Sequence, residues 1–423
     1  MMKWKDWDRN LRIRLFGEGT TNFLFWSYFP FMTILFESSF GKDKAGWLLV
    51  LSQAFSVVAS LVGGYCADRF GRKRMMVISS FGQFMTFLLF AYANSPWYQS
   101  PIWTFVSFSL LGIWGALYWP ASHAMVADVV SEKHRASVFA VFYTSINIAV
   151  VVGPIIGSFL FYSYRFEMLL AGAVLTGSLT VILQRFLGET VALKVRRKEA
   201  KVSWYRAVWD ELSDYRIIAK DRNFLLFIIA GVLVAQTFMQ LDILIAVYTS
   251  EVIDNQTLFQ LGDFQLTITG EKAFALVLAE NGLLVALFTV FITRIMNRFK
   301  EKRVFVASSL LYAGGIVLYG LTESIWMFIF AMAMFTLAEL MVVGIQESFV
   351  AKLAPENMRG QYFSAASLRF TVGKLIAPLS LVLTNYLAYP IVFAILGLFA
   401  VMSAFVYGYM FKKLEGKSGL AKN

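Results

Sequence analysis

One cysteine, Cys66, stands among 423 residues, so no intramolecular disulfide can form and a thiolate metal site lacks its second ligand. Neither covalent staples nor metal chemistry is expected, and Cys66 reads as a packing residue. Charge is scarce, with only 15% of residues Asp, Glu, Lys or Arg, and the longest polar stretch runs no further than 189–222. The spacing G-x-x-x-x-G-K-[ST] is missing, which removes the loop that cradles ATP phosphates and makes direct ATP drive depend on another subunit. A signal peptide is not evident either. Met1 to Arg14 carries seven charges and has no small-residue cleavage site.

Apolar residues make up 58% of the chain, and its mean hydropathy is +0.63, well above that of a water-soluble domain of this length. The bilayer is the solvent that such a composition fits. A spanning helix needs about 20 predominantly apolar residues. Twelve such runs are found, at 12–36, 45–67, 75–93, 102–126, 138–162, 167–188, 223–249, 273–295, 304–321, 324–349, 364–384 and 388–411. They are numbered here as spans 1 to 12. The net charge of +11 has to be read by position before a partner is inferred from it. With a cytoplasmic N-terminus, inside segments hold 31 of the 38 Lys and Arg, outside loops hold four, and Arg185, Arg369 and Lys374 lie within spans. The excess is therefore the positive-inside signal and not a nucleic-acid patch, and both termini are expected in the cytoplasm.

The stretch 189–222 divides the chain into an N-terminal half, 1–188, and a C-terminal half, 223–423, of six spans each. Within it, Trp204, Val208, Leu212, Tyr215 and Ile218 recur at helical spacing beside charged residues. That pattern suggests an amphipathic helix on the inner surface or a solvated helix packed on the span ends. The halves echo each other after spans 2 and 8, where Gly64-Tyr65-Cys66-Ala67-Asp68-Arg69-Phe70-Gly71-Arg72-Lys73 has a degenerate counterpart in Thr293 to Lys302. Paired halves are how many secondary transporters are built. The outer loop 250–272 carries a sequon, Asn255-Gln256-Thr257, to which no function is assigned.

The run from Gly64 resembles motif A of the major facilitator superfamily, G-x-x-x-D-[RK]-x-G-[RK]-[RK], at every position. Glycines there allow a sharp turn and close helix approach. The resemblance implies an all-α membrane fold of twelve helices in two pseudo-symmetric six-helix bundles. It also implies a cytoplasmic gate in which Asp68 and Arg72 latch the closed inner face, with Gly64, Arg69, Gly71 and Lys73 around them. The four basic residues of this loop would by themselves also serve as a topogenic signal. Asp128 and Arg135, at the inner end of span 5, are expected to add a gating or fold-stabilising pair. In span 5, Gly153-Pro154-Ile155-Ile156-Gly157 resembles motif C of proton-coupled exporters, although Ala149 and Ser158 replace its outer glycines. Proline there predicts a kink, and a plain packing kink is the competing explanation. Pro355 to Tyr362 resembles the P-E-x-x-R-G-x-Y loop of multidrug and peptide transporters.

Ionisable residues inside spans are costly unless they find partners or line a wet cavity, so each is a functional candidate. Glu18 shares a face of span 1 with Asn22, Phe25 and Phe29, an acidic head on an aromatic stripe suited to a lipophilic cationic guest; pairing with Arg14 is the alternative. Glu339 in span 10 is the foremost candidate for proton coupling and shares a face with Gln346. Neutralisation of Glu339 or of Glu347 by Arg369 or Lys374 is the competing reading. Asp242, Glu280 and Glu18 are further proton-coupling candidates, with Gln236, Gln240 and Asn281 as cavity neighbours. Asp242 lies about 200° round a regular helix from Gln240, so the two share a cavity only if span 7 is broken. His123 in span 4 reads as a proton relay or as a hydrogen-bonded core histidine.

The layout as a whole resembles the multidrug-resistance-type drug/proton antiporters, except that Ala140 to Thr144 lacks the acid those members often carry early in span 5. That resemblance implies proton-driven efflux of lipophilic or cationic drug-like compounds. Uptake symport of a peptide, sugar or other metabolite is the alternative, and a non-transporting membrane sensor is a remoter one. No enzyme chemistry and no cofactor are expected. A proton gradient is the expected drive, with sodium left open. The expected partners are a small-molecule substrate and the lipid bilayer, with no nucleic acid, and the expected state is a monomer, multi-pass in the cell membrane, of the bacterial inner-membrane type.

Overall fold

The computed structural model describes residues 7–130, 132–190, 221–354 and 359–420, and these are helical nearly throughout. Before the connector come α1 (Arg9–Phe40), α2 (Lys42–Phe70), α3 (Arg72–Tyr92), α4 (Pro101–Val129), α5 (Glu132–Ser163) and α6 (Arg165–Phe186). After it come α7 (Arg222–Phe238), α8 (Leu244–Val252), α9 (Gly270–Met296), α10 (Glu301–Gly320), α11 (Ile325–Leu353), α12 (Arg359–Ile376), α13 (Leu379–Leu383) and α14 (Tyr389–Leu420). Among the described residues, ten helical segments are long and apolar enough to cross a membrane. The other two expected spans correspond to α1, whose 32 residues include Arg9, Arg12, Arg14, Glu18 and Glu37, and to α7 and α8, into which span 7 is split. The amphipathic helix expected at 204–218 lies outside the described residues.

Short strands depart from an all-helical expectation. β1 (Asn94–Ser95) pairs with β2 (Tyr98–Gln99), and β3 (Gln256–Leu261) pairs with β4 (Phe264–Ile268) in the loop before α9. Gly262 opens the two-residue turn of the second hairpin with φ +58°, the left-handed value a II′-type turn needs at its first central position.

Two compact units emerge, one within Met1–Met32 and Leu51–Asp210, the other within Thr33–Val50 and Glu211–Asn423. The tip formed by the end of α1 and the start of α2 thus groups with the C-terminal residues. Lys42 Nζ pairs with the Glu251 carboxylate at 2.9 Å, and the Tyr389 hydroxyl donates to the same carboxylate at 2.7 Å. Each unit is cored by apolar side chains. Met76, Met125, Leu183 and Tyr118 gather between α3, α4 and α6. In the second unit Phe224, Phe227, Phe305 and Tyr407 do the same, the last two rings 4.9 Å apart. Large apolar residues such as Phe159, Val290 and Phe405 stay exposed, as lipid-facing helix surfaces require.

Pro154 leaves α5 unbroken, the helix running from Glu132 to Ser163. The Gly-Pro-x-x-Gly run also brings two backbones together. A Cβ on Gly153 would lie 2.7 Å from the Trp26 Cβ, and one on Gly157 would lie 2.8 Å from a Phe31 ring carbon while also meeting the Ser27 carbonyl. Small residues at such a crossing are what association of helices in lipid favours. Span 7, by contrast, is broken over 239–243, and the buried Gln240 holds the break. Its amide donates to the carbonyls of Gln236 at 2.9 Å and Ala377 at 3.4 Å, and its oxygen accepts from Ser380 Oγ at 2.7 Å. Ala377 itself lies in the interruption between α12 and α13, so one side chain satisfies backbone at two helix breaks.

Overpacking at Gly157 has nowhere to go, whereas a Cβ on Gly64 meets nothing within 4 Å. Gly157→Val is expected to destabilise the protein by about 1–3 kcal/mol and Gly64→Ala to be near neutral, as read from thermal unfolding in detergent.

Candidate functional site

The acids named from sequence fall into different surroundings. Glu18 is buried in the first unit beside Arg14, whose Nε and Nη2 donate to Glu18 Oε1 at 3.0 and 2.8 Å. Ser122 Oγ bonds both residues. Arg14, only 1% exposed, also lies over the Phe142 ring at 4.9 Å. Glu18 is thus not the open acidic head expected over an aromatic stripe but half of a buried ion pair, the alternative that its spacing from Arg14 allowed. Asn22 donates to the Glu18 carbonyl at 2.8 Å. Phe25 and Phe29 stack on each other with centroids 4.3 Å apart, and Phe29 stacks further on Phe108.

The second unit holds the more open constellation. Asn281 Nδ2, on α9, donates to Glu339 Oε2 at 3.1 Å and to Thr336 Oγ1 at 3.0 Å, both on α11. Thr336 is one helical turn before Glu339, so both face α9. Glu280 precedes Asn281, and its Oε2 is buried without a hydrogen-bond partner. Asn281 thus joins Glu339 and Thr336 where α9 packs on α11, with Glu280 one residue earlier on α9. An apolar surround makes an unpartnered carboxylate oxygen expensive, and a proton or a cation relieves that cost.

The remaining cavity candidates fill structural positions. Gln240, expected in a cavity, is fully buried at the break in span 7 with its amide satisfied. Gln236 is 5% exposed and bonds back along its own helix to Val232. The Asp242 carbonyl accepts from Thr33 Oγ1 at 2.8 Å, and the residue as a whole is half-buried. Gln346 accepts from Arg369 Nη1 at 3.4 Å, and the Arg369 guanidinium lies over the Phe227 ring at 4.4 Å. Lys374 is exposed, and Glu347's side chain lies outside the described residues. His123 is on the accessible side of α4, edge-on to Trp119, and not in the core.

At the inner loop the side chains of Asp68 and Arg135 lie outside the described residues. Arg69 bonds the Tyr65 hydroxyl, and Lys73 is half-buried. Asp128 has Arg72 as its ion-pair partner, Nε to Oδ2 at 3.5 Å, and accepts from Thr190 Oγ1 at 2.7 Å. Gly71 caps α3 with φ +100° and has no side chain to bond the exposed amides. Glu189 supplies the cap from a distance, its Oε1 accepting from the amides of Arg72 and Thr190 at 3.0 Å each. A Cβ on Gly71 would collide with that carboxylate. Sequence reasoning passed over Glu189, and only a carboxylate close after span 6 could have hinted at it. In the second unit the matching capping position, Lys300, has φ −64°, which explains why the echo needs no glycine there.

Tyr362 of the P-E-x-x-R-G-x-Y run donates to Asp221 Oδ2 at 3.1 Å, while Asp221 Oδ1 caps α7 through the amides of Asn223 and Phe224. Burial and this neighbouring carboxylate push the Tyr362 hydroxyl up to about 12. Residues 355–358 of the run lie outside the described residues.

The chain matches the Major Facilitator Superfamily profile over residues 15–268 and 262–422. It is 54% identical over 413 residues to a Na(+), Li(+), K(+)/H(+) antiporter of Planococcus maritimus, covering 97% of each chain. It is 22% identical over 351 residues to multidrug resistance protein MdtH of Baumannia cicadellinicola subsp. Homalodisca coagulata, covering 82% of this chain and 78% of that one. Among solved structures, a POT family transporter in complex with 5-aminolevulinic acid superposes with TM-score 0.76 at 18% identity, covering 96% of each chain.

Two substitutions test the inner-loop and α7 caps. Glu189→Ala is expected to cost about 0.5–1 kcal/mol, as loss of a helix cap does, while Glu189→Gln keeps an acceptor and most of the stability. Tyr362→Phe is expected to cost about 0.5–1.5 kcal/mol. Both are read as shifts in thermal unfolding of the purified protein.

Proposed function

The chain belongs to the major facilitator superfamily, multi-pass membrane transporters and not enzymes, and from that premise we propose that it exchanges protons for monovalent cations, expelling Na+, Li+ or K+ from the cytoplasm. The likeness to the Planococcus maritimus antiporter over 97% of both chains carries this reading. The constellation on α9 and α11 supports it chemically. Glu280, Asn281, Thr336 and Glu339 offer carboxylate, amide and hydroxyl oxygens, the ligand type that hard cations take. A proton and a cation compete for the same carboxylates, so binding of one favours release of the other. The proposed working parts are the halves 1–188 and 223–423, rocking about a midplane site so that it faces each side in turn. Glu339 and Glu280 carry the exchange in this scheme. Asp242 is a secondary candidate, and Glu18 stays committed to Arg14. Motif A, through Arg72 and Asp68, latches the inner face.

A second reading, efflux of lipophilic or cationic drug-like compounds, is favoured by the likeness to MdtH and by the stacked Phe25, Phe29 and Phe108 rings. It shares the proton antiport and differs in cargo.

Everted vesicles with an imposed acid-inside gradient separate the two. Adding NaCl, LiCl or KCl is expected to release the gradient in the wild type, and Glu339→Gln and Glu280→Gln, expressed at wild-type level, are expected to bring that release to background. A wild type that ignores all three salts but releases the gradient on addition of ethidium would replace the cation reading by the drug reading. Full exchange in both variants would remove the residue assignment.

A further inference from the structure

Helices α3 and α6 leave a groove of about 410 Å³ in the first unit, lined by Val77, Ile78, Phe81 and Val181 with Gln184 and Arg185. Arg185 falls in the last turn of α6, and the groove extends from there along the second and third turns of α3. By the positive-inside rule this is the cytoplasmic end of both helices. Ile78, Phe81 and Val181 are 42%, 49% and 54% exposed, an apolar surface that acyl chains can cover in a bilayer.

Apolar helix faces meet lipid everywhere, and what distinguishes this groove is its charge. Arg185 is exposed, and neither a hydrogen bond nor an ion pair engages it among the described residues. Arg74, in the first turn of α3, is exposed in the same way. The next acid along the chain from Arg185 is Glu189, which is committed to the amides of Arg72 and Thr190. A guanidinium within a span needs an anionic partner at its own depth or must reach the headgroup layer. Basic pockets between helices at the cytoplasmic side are where anionic lipid headgroups bind.

We propose that the α3–α6 groove is a binding site for an anionic phospholipid, with an acyl chain against Val77, Ile78, Phe81 and Val181 and the phosphate on Arg185. Arg74 adds positive charge at the same end. The site is independent of the cargo the protein carries. Its specificity is for the net negative headgroup, since a zwitterionic lipid brings a cation of its own beside the phosphate.

The full-length protein, purified in detergent with phosphatidylglycerol or phosphatidylethanolamine added, can be followed by native mass spectrometry. Wild type is expected to retain phosphatidylglycerol over phosphatidylethanolamine. Arg185→Gln is expected to lower phosphatidylglycerol retention about fivefold, the factor that about 1 kcal/mol per basic residue corresponds to. Val181→Trp, which fills the groove and keeps the charge, is expected to lower it too. Lys412→Gln, which removes one positive charge at the inner end of α14, is expected to leave it unchanged. Equal retention of both lipids, wild-type retention in Val181→Trp, or equal losses in Arg185→Gln and Lys412→Gln would overturn the site in favour of diffuse attraction to a basic surface. Should Arg185→Gln not fold, the Val181→Trp result decides alone.

Discussion

Hydrocarbon offers no partner to a backbone amide or carbonyl, and most of this architecture follows from that single deficit. A chain in lipid must close its hydrogen bonds within each segment, so it forms long helices, and any interruption must be repaired from inside the protein. Span 7 is interrupted over 239–243 and span 11 around 377–378, and both repairs use Gln240, whose amide reaches Gln236 and Ala377 while its carbonyl takes the Ser380 hydroxyl. Discontinuous helices put irregular backbone near the membrane midplane, where transporters place their ion sites. The fully buried Gln240 is what allows the chain to hold that irregularity.

The same deficit explains how far the sequence could be read. Long apolar runs, the asymmetry of Lys and Arg, and the motif from Gly64 to Lys73 are local or statistical signals, and they identified the membrane class, the span positions and the family. Contacts that join distant residues leave no such trace. Glu189 meets the Arg72 amide across 117 positions, and Gln240 meets Ser380 across 140; a single carboxylate or amide in a chain of 423 carries no label for either. The break in span 7 was foreshadowed only as a contradiction, since Gln240 and Asp242 could not both face one cavity on a regular helix. Glu18 was open to two readings for a different reason. Its aromatic stripe has a helix face's spacing whether the face lines a cavity or a core, and the i,i+4 pair with Arg14 that decides between them is equally visible in sequence.

The repeat, faint in sequence, gains physical content at the inner ends of the helices. Arg72, the first residue of α3, pairs with Asp128 near the end of α4. Glu301, the first residue of α10, pairs with Lys352 near the end of α11. The positions correspond between the halves while the signs are exchanged. An alignment scored by residue identity sees two mismatches, yet an ion pair keeps its geometry when both charges invert, so the constraint that persists is the pairing itself. Gly71 and Lys300 make the same point for backbone. The glycine is needed only where φ is positive and the Glu189 carboxylate approaches, and neither condition holds at Lys300.

Exchange of two cations on one site demands acids that the fold leaves incompletely paired. An acid already neutralised by a buried guanidinium has no standing need of either cation, and freeing it would strand a charge at a cost of about 3–5 kcal/mol. That places Glu18 among the groups that hold the first unit together. Glu280 and Glu339 stand differently. One has a buried oxygen without a partner, and the other takes a single neutral amide. The fold leaves their charge to be balanced from outside the chain, and a proton or a small cation can balance it equally well in sign but not in geometry. The proton needs one oxygen, whereas the cation needs several. Glu339, Asn281 and Thr336, joined by hydrogen bonds across α9 and α11, bring several oxygens together where a proton would use only one.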